Sequence, residues 1–265
     1  MHMTEAGAFF TDGNAYERLM GRWSRRAGEQ FLDWLAPAKG LSWLDVGCGN
    51  GAFTDVLIAR CAPARVLGVD PSPGQLAYAR TRVGTERAEF HIGDAQALPL
   101  ERDSFDAAAM ALVLAFLPDP AKAVAEMARV VRPGGWIATY MWDFPSGGSP
   151  NQPIHDTIRA MGMAPPGPPN PEASGHDSMR ALWTNARLTE VETTVLRIVV
   201  EFDDLDDLWA STTSPSAPMG RFVQEMSSGA RDELRSRLRQ RVPTGPDGRI
   251  AYPAVANAVK GRVPR

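Results

Sequence analysis

The chain has 265 residues, 44% hydrophobic and 22% charged, the balance of a globular protein long enough to bury a large core. A net charge of −3 with no long block of Lys and Arg argues against a partner held mainly through nucleic-acid phosphates. Cys48 and Cys61 are too few for a disulfide framework or a zinc set, no run nears the about 20 apolar residues that span a membrane, and the N-terminus lacks a signal-peptide pattern, so a reducing cytoplasm is the expected home.

Residues 14 to 36 read as helical, with Tyr16, Leu19, Met20, Trp23, Phe31 and Leu35 among the apolar positions. Met20-Gly21-Arg22-Trp23-Ser24-Arg25-Arg26 interrupts them with a glycine and three arginines. Next comes Trp43-Leu44-Asp45-Val46-Gly47-Cys48-Gly49-Asn50-Gly51, then a helical stretch through Thr54 to Arg60: strand, tight turn, helix. A helix that starts after such a turn offers unpaired N–H groups to a ligand. The usual ligand of such a turn is a dinucleotide, whose fingerprint is G-x-G-x-x-G. Here the spacing is G-x-G-x-G and Asp45 lies two residues before the first glycine. A carboxylate there repels a pyrophosphate and favours a ligand that carries positive charge. S-adenosylmethionine, with a sulfonium, an ammonium, one carboxylate and no phosphate, meets that description.

A second strand, Ala64 to Asp70, again ends in an acid, and Pro71-Ser72-Pro73 opens the helix Gly74 to Val83. Asp70 sits near the offset at which a nucleotide-binding α/β unit places the acid for the ribose hydroxyls. The third strand, Ala88 to Gly93, leads into Asp94-Ala95, where a carboxylate can accept from an adenine amino group; His91 inside that strand reads as structural. Ser104 to Ala111 forms a fourth strand, Pro118-Asp119-Pro120 starts the helix Ala121 to Val131, and Arg132-Pro133-Gly134-Gly135 turns the chain into the fifth strand, Trp136 to Trp142.

This alternation implies a doubly wound, Rossmann-like α/β fold with a mainly parallel sheet. Residues 144–176 are rich in Pro and Gly and read as a lid-like segment that carries His155 and His176. A helix Met179 to Ala186, a strand Thr189 to Phe202, a helical insertion over 203–241 and a last strand Ile250 to Val259 follow. The expected organisation is an N-terminal helical cap (1–36), a cofactor-binding α/β core (37–143), the lid-like segment (144–176), and a C-terminal part of the same sheet (177–265).

Five segments in this order, Leu44-Asp45-Val46-Gly47-Cys48-Gly49-Asn50-Gly51, Gly68-Val69-Asp70-Pro71-Ser72, Gly93-Asp94-Ala95, Ser104-Phe105-Asp106 and Arg132-Pro133-Gly134-Gly135, resemble those of class I S-adenosylmethionine-dependent methyltransferases. More narrowly, the chain is similar to the small-molecule group that includes the ubiquinone and menaquinone C-methyltransferases. The resemblance runs from about Tyr16 to Trp142 and implies a seven-stranded sheet whose last strand is antiparallel. It implies that Asp45, Gly47, Cys48 and Gly49 line the methionine part of the cofactor and that Asp70 and Pro71 hold the ribose. Asp94 and Ala95 would contact adenine, Met110, Ala111 and Leu112 would run under the sulfonium, and Tyr16 and Arg22 would cap the site, Arg22 pairing with the cofactor carboxylate.

Methyl transfer needs alignment in a dry pocket, and a phenol, alcohol or carbon acid also benefits from a base. His155, His176, Tyr16 and Asp143 are the candidates. No Asn/Asp-Pro-Pro-Tyr follows the fourth strand, where Ala111-Leu112-Val113-Leu114 stands, so nucleic acid is not the expected substrate. The leading reading is methyl transfer to a small, apolar or aromatic metabolite with S-adenosylhomocysteine as product. An NAD-dependent oxidoreductase and a non-catalytic S-adenosylmethionine-binding protein stay open as alternatives.

Overall fold

The computed structural model describes residues 21–82, 84–215 and 217–265, and of Arg22 the backbone only. Tyr16 and most of the N-terminal cap lie outside the described residues. Seven strands form one sheet: β1 (Ser42–Val46), β2 (Arg65–Asp70), β3 (Ala88–Ile92), β4 (Phe105–Ala111), β5 (Val131–Trp142), β6 (Thr189–Phe202) and β7 (Ile250–Arg262). Their spatial order is β3-β2-β1-β4-β5-β7-β6. The pairs β1–β2, β1–β4, β2–β3 and β4–β5 are parallel, and β7 runs antiparallel to both its neighbours. The doubly wound architecture with a single reversed last strand is thus the one the sequence implies.

Helix α1 (Arg22–Leu35) precedes β1, α2 (Ala52–Cys61) and α3 (Pro73–Thr81) follow β1 and β2, and α4 (Pro120–Val130) joins β4 to β5, whereas β3 leads to β4 without a helix. Proline in the first turn suits the starts of α3 and α4, where its missing N–H is no loss, and Ser72 and Asp119 cap those helices by accepting from Gln75 N and Lys122 N. Phe31 of α1 and Phe53 of α2 pack on Tyr140 of β5, with ring centroids 4.8 and 5.9 Å away. Such buried aromatic groups supply the area that holds helices to a sheet.

Three boundaries depart from the sequence-based expectations. Arg132-Pro133-Gly134-Gly135 is not a turn before β5 but a bulge within it, since Val131 pairs with Phe105 and Trp136 already pairs with Ala107. His176 is not a loop histidine: it opens helix α6 (His176–Asn185), which follows α5 (Gln152–Ala160) and a 3-10 turn at Pro171–Ser174. The insertion before β7 contains three helices, α7 (Leu205–Thr212), α8 (Pro218–Glu225) and α9 (Ser228–Arg241).

The order of the sheet reverses between β1 and β4, since β1 leads outward to β2 and β3 while β4 leads to β5. Open α/β sheets leave a crevice beyond the carboxyl ends of strands at such a point. Asp45 stands level with Gly68 of β2 and Ala109 of β4, near the carboxyl end of β1, and Asp70 ends β2 beside Ile92 of β3.

Candidate active site

Beyond Val46 the chain folds back sharply, and the N–H groups of Gly47 and Cys48 both donate to the carbonyl of Val69, at 2.7 and 3.1 Å. Gly47 has φ +71°, and an added Cβ would lie 2.5 Å from Val113 Cγ2, so only glycine lets this loop pass under the segment after β4. At Gly49, with φ +52°, nothing lies within 4 Å of where a Cβ would sit, and the backbone there is open to a ligand.

Asp70 ties the loop to the next helix. Its Oδ2 accepts from Gly49 N at 2.9 Å and its Oδ1 from Ser72 N at 2.8 Å. Burial raises its pKa, and these two N–H groups oppose the rise. A carboxylate has about four acceptor positions, so lone pairs remain for hydroxyl donors. Asp94 is arranged alike: its Oδ1 accepts from the backbone N of Gln96 at 2.9 Å and the side-chain Nε2 at 3.3 Å, and Gln96 Oε1 accepts from Asp119 N at 2.9 Å.

Asp45 behaves differently. It is fully buried, its Oδ2 accepts from Thr54 Oγ1 at 2.6 Å, and its Oδ1 has no partner among the described residues. Burial pushes its pKa up to about 7, the Thr54 bond opposes that, and the nearby Asp70 adds to it. The carboxyl that the sequence places beside the ligand therefore lies under the loop, against α2, and is absent from the cavity wall. Cys48 does line the cavity, with its thiol raised well above the usual range by burial and by the charges of Asp45 and Asp70.

These groups open onto a cavity of about 240 Å³. Gly47, Cys48, Gly49, Asp70, Pro71, Asp94 and Ala95 line one end, and Ala111 and Leu112 lie along it; Met110 is fully buried in the core instead. Leu112 holds φ +60° and donates its N–H to Tyr140 O at 2.9 Å. Such a backbone costs a non-glycine residue of order 1 kcal/mol and is concentrated at functional sites.

Of the residues whose apolar or aromatic character in the sequence suggests a pocket wall, Trp142, Met161, Met163, Trp183 and Trp209, only Trp142 lines the far wall. Phe116 and Phe144 meet edge to face, 6.4 Å between centroids, and both line the cavity with Trp142. Pro166 and Pro168 come from the lid-like segment, and Ala217, Pro218 and Met219 come from the insertion. Asn170 fastens the lid-like segment to the chain after β4, with its N–H donating to Ala115 O at 3.0 Å and its side-chain amide to Leu117 O.

Of the candidate bases, His155 lines the cavity, and burial together with the positive charge of Arg159 lowers its pKa to about 4, against the opposing pull of Asp156. His176 does not: it starts α6, is 40% exposed in its side chain and faces Asp177. Helix geometry removes it from the site, because its ring extends from the exposed first turn. Asp143 is also off the wall, its Oδ1 accepting from Ser146 N at 3.3 Å. Tyr16 lies outside the described residues. Trp183, Met161, Met163 and Trp209 pack in or against the core and not on the cavity.

Residues 44–139 match the family described as methyltransferase domain. Over that stretch the chain is similar to S-adenosylmethionine-dependent methyltransferase domains. Over 117 residues it is 40% identical to Methyltransferase GfsG of Streptomyces halstedii, a match that covers 43% of this chain and 42% of that protein. Over 111 residues it is 36% identical to the ubiquinone biosynthesis O-methyltransferase of Paracidovorax citrulli, covering 40% of this chain and 46% of that one. The match to these curated relatives spans less than half of their length. Among solved structures, the YcgJ protein of Bacillus subtilis superposes with a TM-score of 0.61 at 18% identity, over 90% of this chain and 98% of its own, which is a likeness of fold.

The residues of the domain suit such a cofactor. The loop at Gly49 leaves room against the backbone, Asp70 and Asp94 keep free acceptor positions on the cavity, and no described Lys or Arg lines the wall to attract a pyrophosphate.

Proposed function

We propose that this protein transfers a methyl group from S-adenosylmethionine to a small-molecule acceptor. The observation that carries this reading is one continuous cavity, with the Gly47–Gly49 loop, Asp70 and Asp94 at one end and an apolar, aromatic wall at the other. The cofactor supplies a methyl group already activated by a sulfonium. The protein's part is to bind, align and exclude water.

In this reading Gly47, Cys48 and Gly49 seat the methionine part, Asp70 and Pro71 take the ribose hydroxyls, and Asp94 and Ala95 take adenine. Ala111 and Leu112 lie beneath the sulfonium. Tyr16 and Arg22, in the cap 1–36, close over the cofactor. Asp45 acts from beneath the loop, as a buried carboxyl whose charged form a cationic ligand favours. The core 37–143 holds the cofactor, and the segment 144–176 and the insertion 203–241 cover the acceptor, with the rest of 177–265 completing the sheet. We place the work in the cytoplasm, consistent with two buried free thiols. A largely apolar cavity with no described Lys or Arg on its wall suits a small acceptor better than nucleic acid. No helix among the described residues is long and apolar enough to cross a membrane.

Isothermal titration calorimetry tests the reading. S-adenosylmethionine binds the wild type, and Asp70→Ala weakens it by about tenfold or more, since hydrogen bonds to a charged group contribute roughly 1.5–3 kcal/mol. Undiminished binding in Asp70→Ala would sink the placement of the ribose.

A further inference from the structure

The acceptor end of the cavity carries a chemical signature of its own. Its wall is mostly apolar, as at Trp142, Phe144 and Phe116, with neutral polar groups from Ser149, Asn151 and Thr212. Among the described lining residues the only carboxylates are Asp70 and Asp94, both at the cofactor end, and there is no Lys, Arg or Glu. A charged acceptor placed against this wall would lose water and meet no described countercharge there.

One described ionisable side chain does stand there. His155 sits on α5 between the apolar residues Ile154 and Ile158, which are buried, and its backbone N–H is engaged by Asn151 O at 3.2 Å. No described group hydrogen-bonds to its ring. The neighbouring charges on the same helix are committed to one another: Asp156 Oδ1 accepts from Gln152 Nε2 at 2.8 Å and pairs with Arg159 at 3.2 Å. His155 is thus held neutral on the wall of a largely apolar chamber.

Resting on the reading above, we propose that the acceptor is an uncharged, largely apolar aromatic molecule methylated on a hydroxyl oxygen, and that His155 is the base that receives the hydroxyl proton. The oxygen lone pair forms the new O–C bond as the C–S bond breaks, and that electron pair goes to sulfur, which becomes a neutral thioether. The O–H proton passes to the imidazole and from there to water.

The weak basicity of this histidine favours oxygen over nitrogen. A hydroxyl attacking a methyl group becomes strongly acidic as the new bond forms, so even an imidazole whose pKa is lowered to about 4 is an adequate acceptor. A methylated aliphatic amine would keep its proton and remain as a cation in a chamber that offers it no described carboxylate.

Three compounds with one skeleton test this: 2-naphthol, 2-naphthoate and 2-naphthylmethylamine, the last a cation at neutral pH. Calorimetry on the full chain saturated with S-adenosylhomocysteine measures binding, and mass spectrometry with S-adenosylmethionine detects the methyl product. The expected result is that 2-naphthol binds and yields its methyl ether, and that the anion and the cation bind about a hundredfold more weakly, as burial of an unpaired charge demands. His155→Phe weakens naphthol binding by about tenfold, the loss of one buried hydrogen-bond partner, and leaves S-adenosylhomocysteine affinity unchanged, which also reports a folded variant. His155→Gln keeps binding within a few fold but loses ether formation, because an amide accepts a hydrogen bond and not the proton. Equal or tighter binding of either ion, no binding of naphthol, no ether from the wild type, or full turnover in His155→Gln would each overturn the proposal. Failure of the wild type to bind S-adenosylhomocysteine would instead overturn the methyltransferase reading beneath it.

Discussion

Asp45 shows how far one side chain's chemistry depends on its surroundings. In the sequence it is an acid next to a glycine loop. In the fold it is fully buried with a single donor, Thr54 Oγ1, and its pKa rises to about 7. Its folded pKa is above the ordinary carboxylate value, so the protonated form is the one the fold favours. That contribution is fully present below about pH 4 and is lost as pH rises toward 7, where keeping the charge buried costs up to about 4 kcal/mol. Asp45→Asn keeps an oxygen for Thr54 and removes the titration. Its stability relative to the wild type, from urea melts, therefore rises between pH 4 and pH 7 and levels off above. A difference that is flat across this range would show that Asp45 is not a buried titrating group. Asp70 stands in contrast: its carboxylate has two backbone donors and a place on the cavity wall.

At the scale of elements, helices of the lid-like segment and of the insertion are anchored in the core by apolar side chains such as Ile154, Ile158, Leu208 and Leu234, and polar bonds fasten the irregular stretches between them. Asn170 bonds the lid-like segment to the chain after β4, Tyr252 Oη donates to Pro150 O at 2.8 Å, and Asn257 Nδ2 donates to Ser174 O at 2.9 Å. Pro166 and Pro168 then reach the cavity from a stretch without helix or strand. Segments of this kind open at low free-energy cost, and a ligand that fills the chamber beneath them slows that opening. Hydrogen exchange read by mass spectrometry is expected to show 144–176 and 203–225 protected on addition of S-adenosylhomocysteine, with β2 and β4 little changed. Protection confined to the glycine loop would mean that these segments do not cover the site. The lid-like segment was legible as a long Pro/Gly-rich connection, but not its seat: Phe144 meets Phe116 across 28 residues of chain, and nothing local encodes that contact. The fifth strand shows the same limit, since Arg132-Pro133-Gly134-Gly135 has turn composition and is kept as a bulge by pairing on either side with β4. His176 was misplaced for a related reason, because the chain before it is irregular and the helix boundary falls on the histidine itself.

For the whole molecule, one sheet joins cofactor end and acceptor end, so a ligand bound at the crevice stabilises the fold as a unit. With S-adenosylmethionine at about a hundred times its dissociation constant, the added stability is about 2.7 kcal/mol, which for a chain of this size raises the melting temperature by about 5–10 °C. A thermal scan that shows no rise, together with silent calorimetry, would argue against cofactor binding. The sequence by itself determined the alternation of strands and helices, the Gly47–Gly49 turn and the three strand-end acids, because hydrophobic period, turn chemistry and motif spacing are local and survive without coordinates. Only the tertiary structure decided which of those acids faces the cavity, which histidine lines it, and which aromatic and proline residues form the far wall. Those facts depend on burial and on contacts between segments far apart in the chain, and a pattern along the sequence cannot state which side of a loop a carboxyl will occupy once helix α2 packs against it.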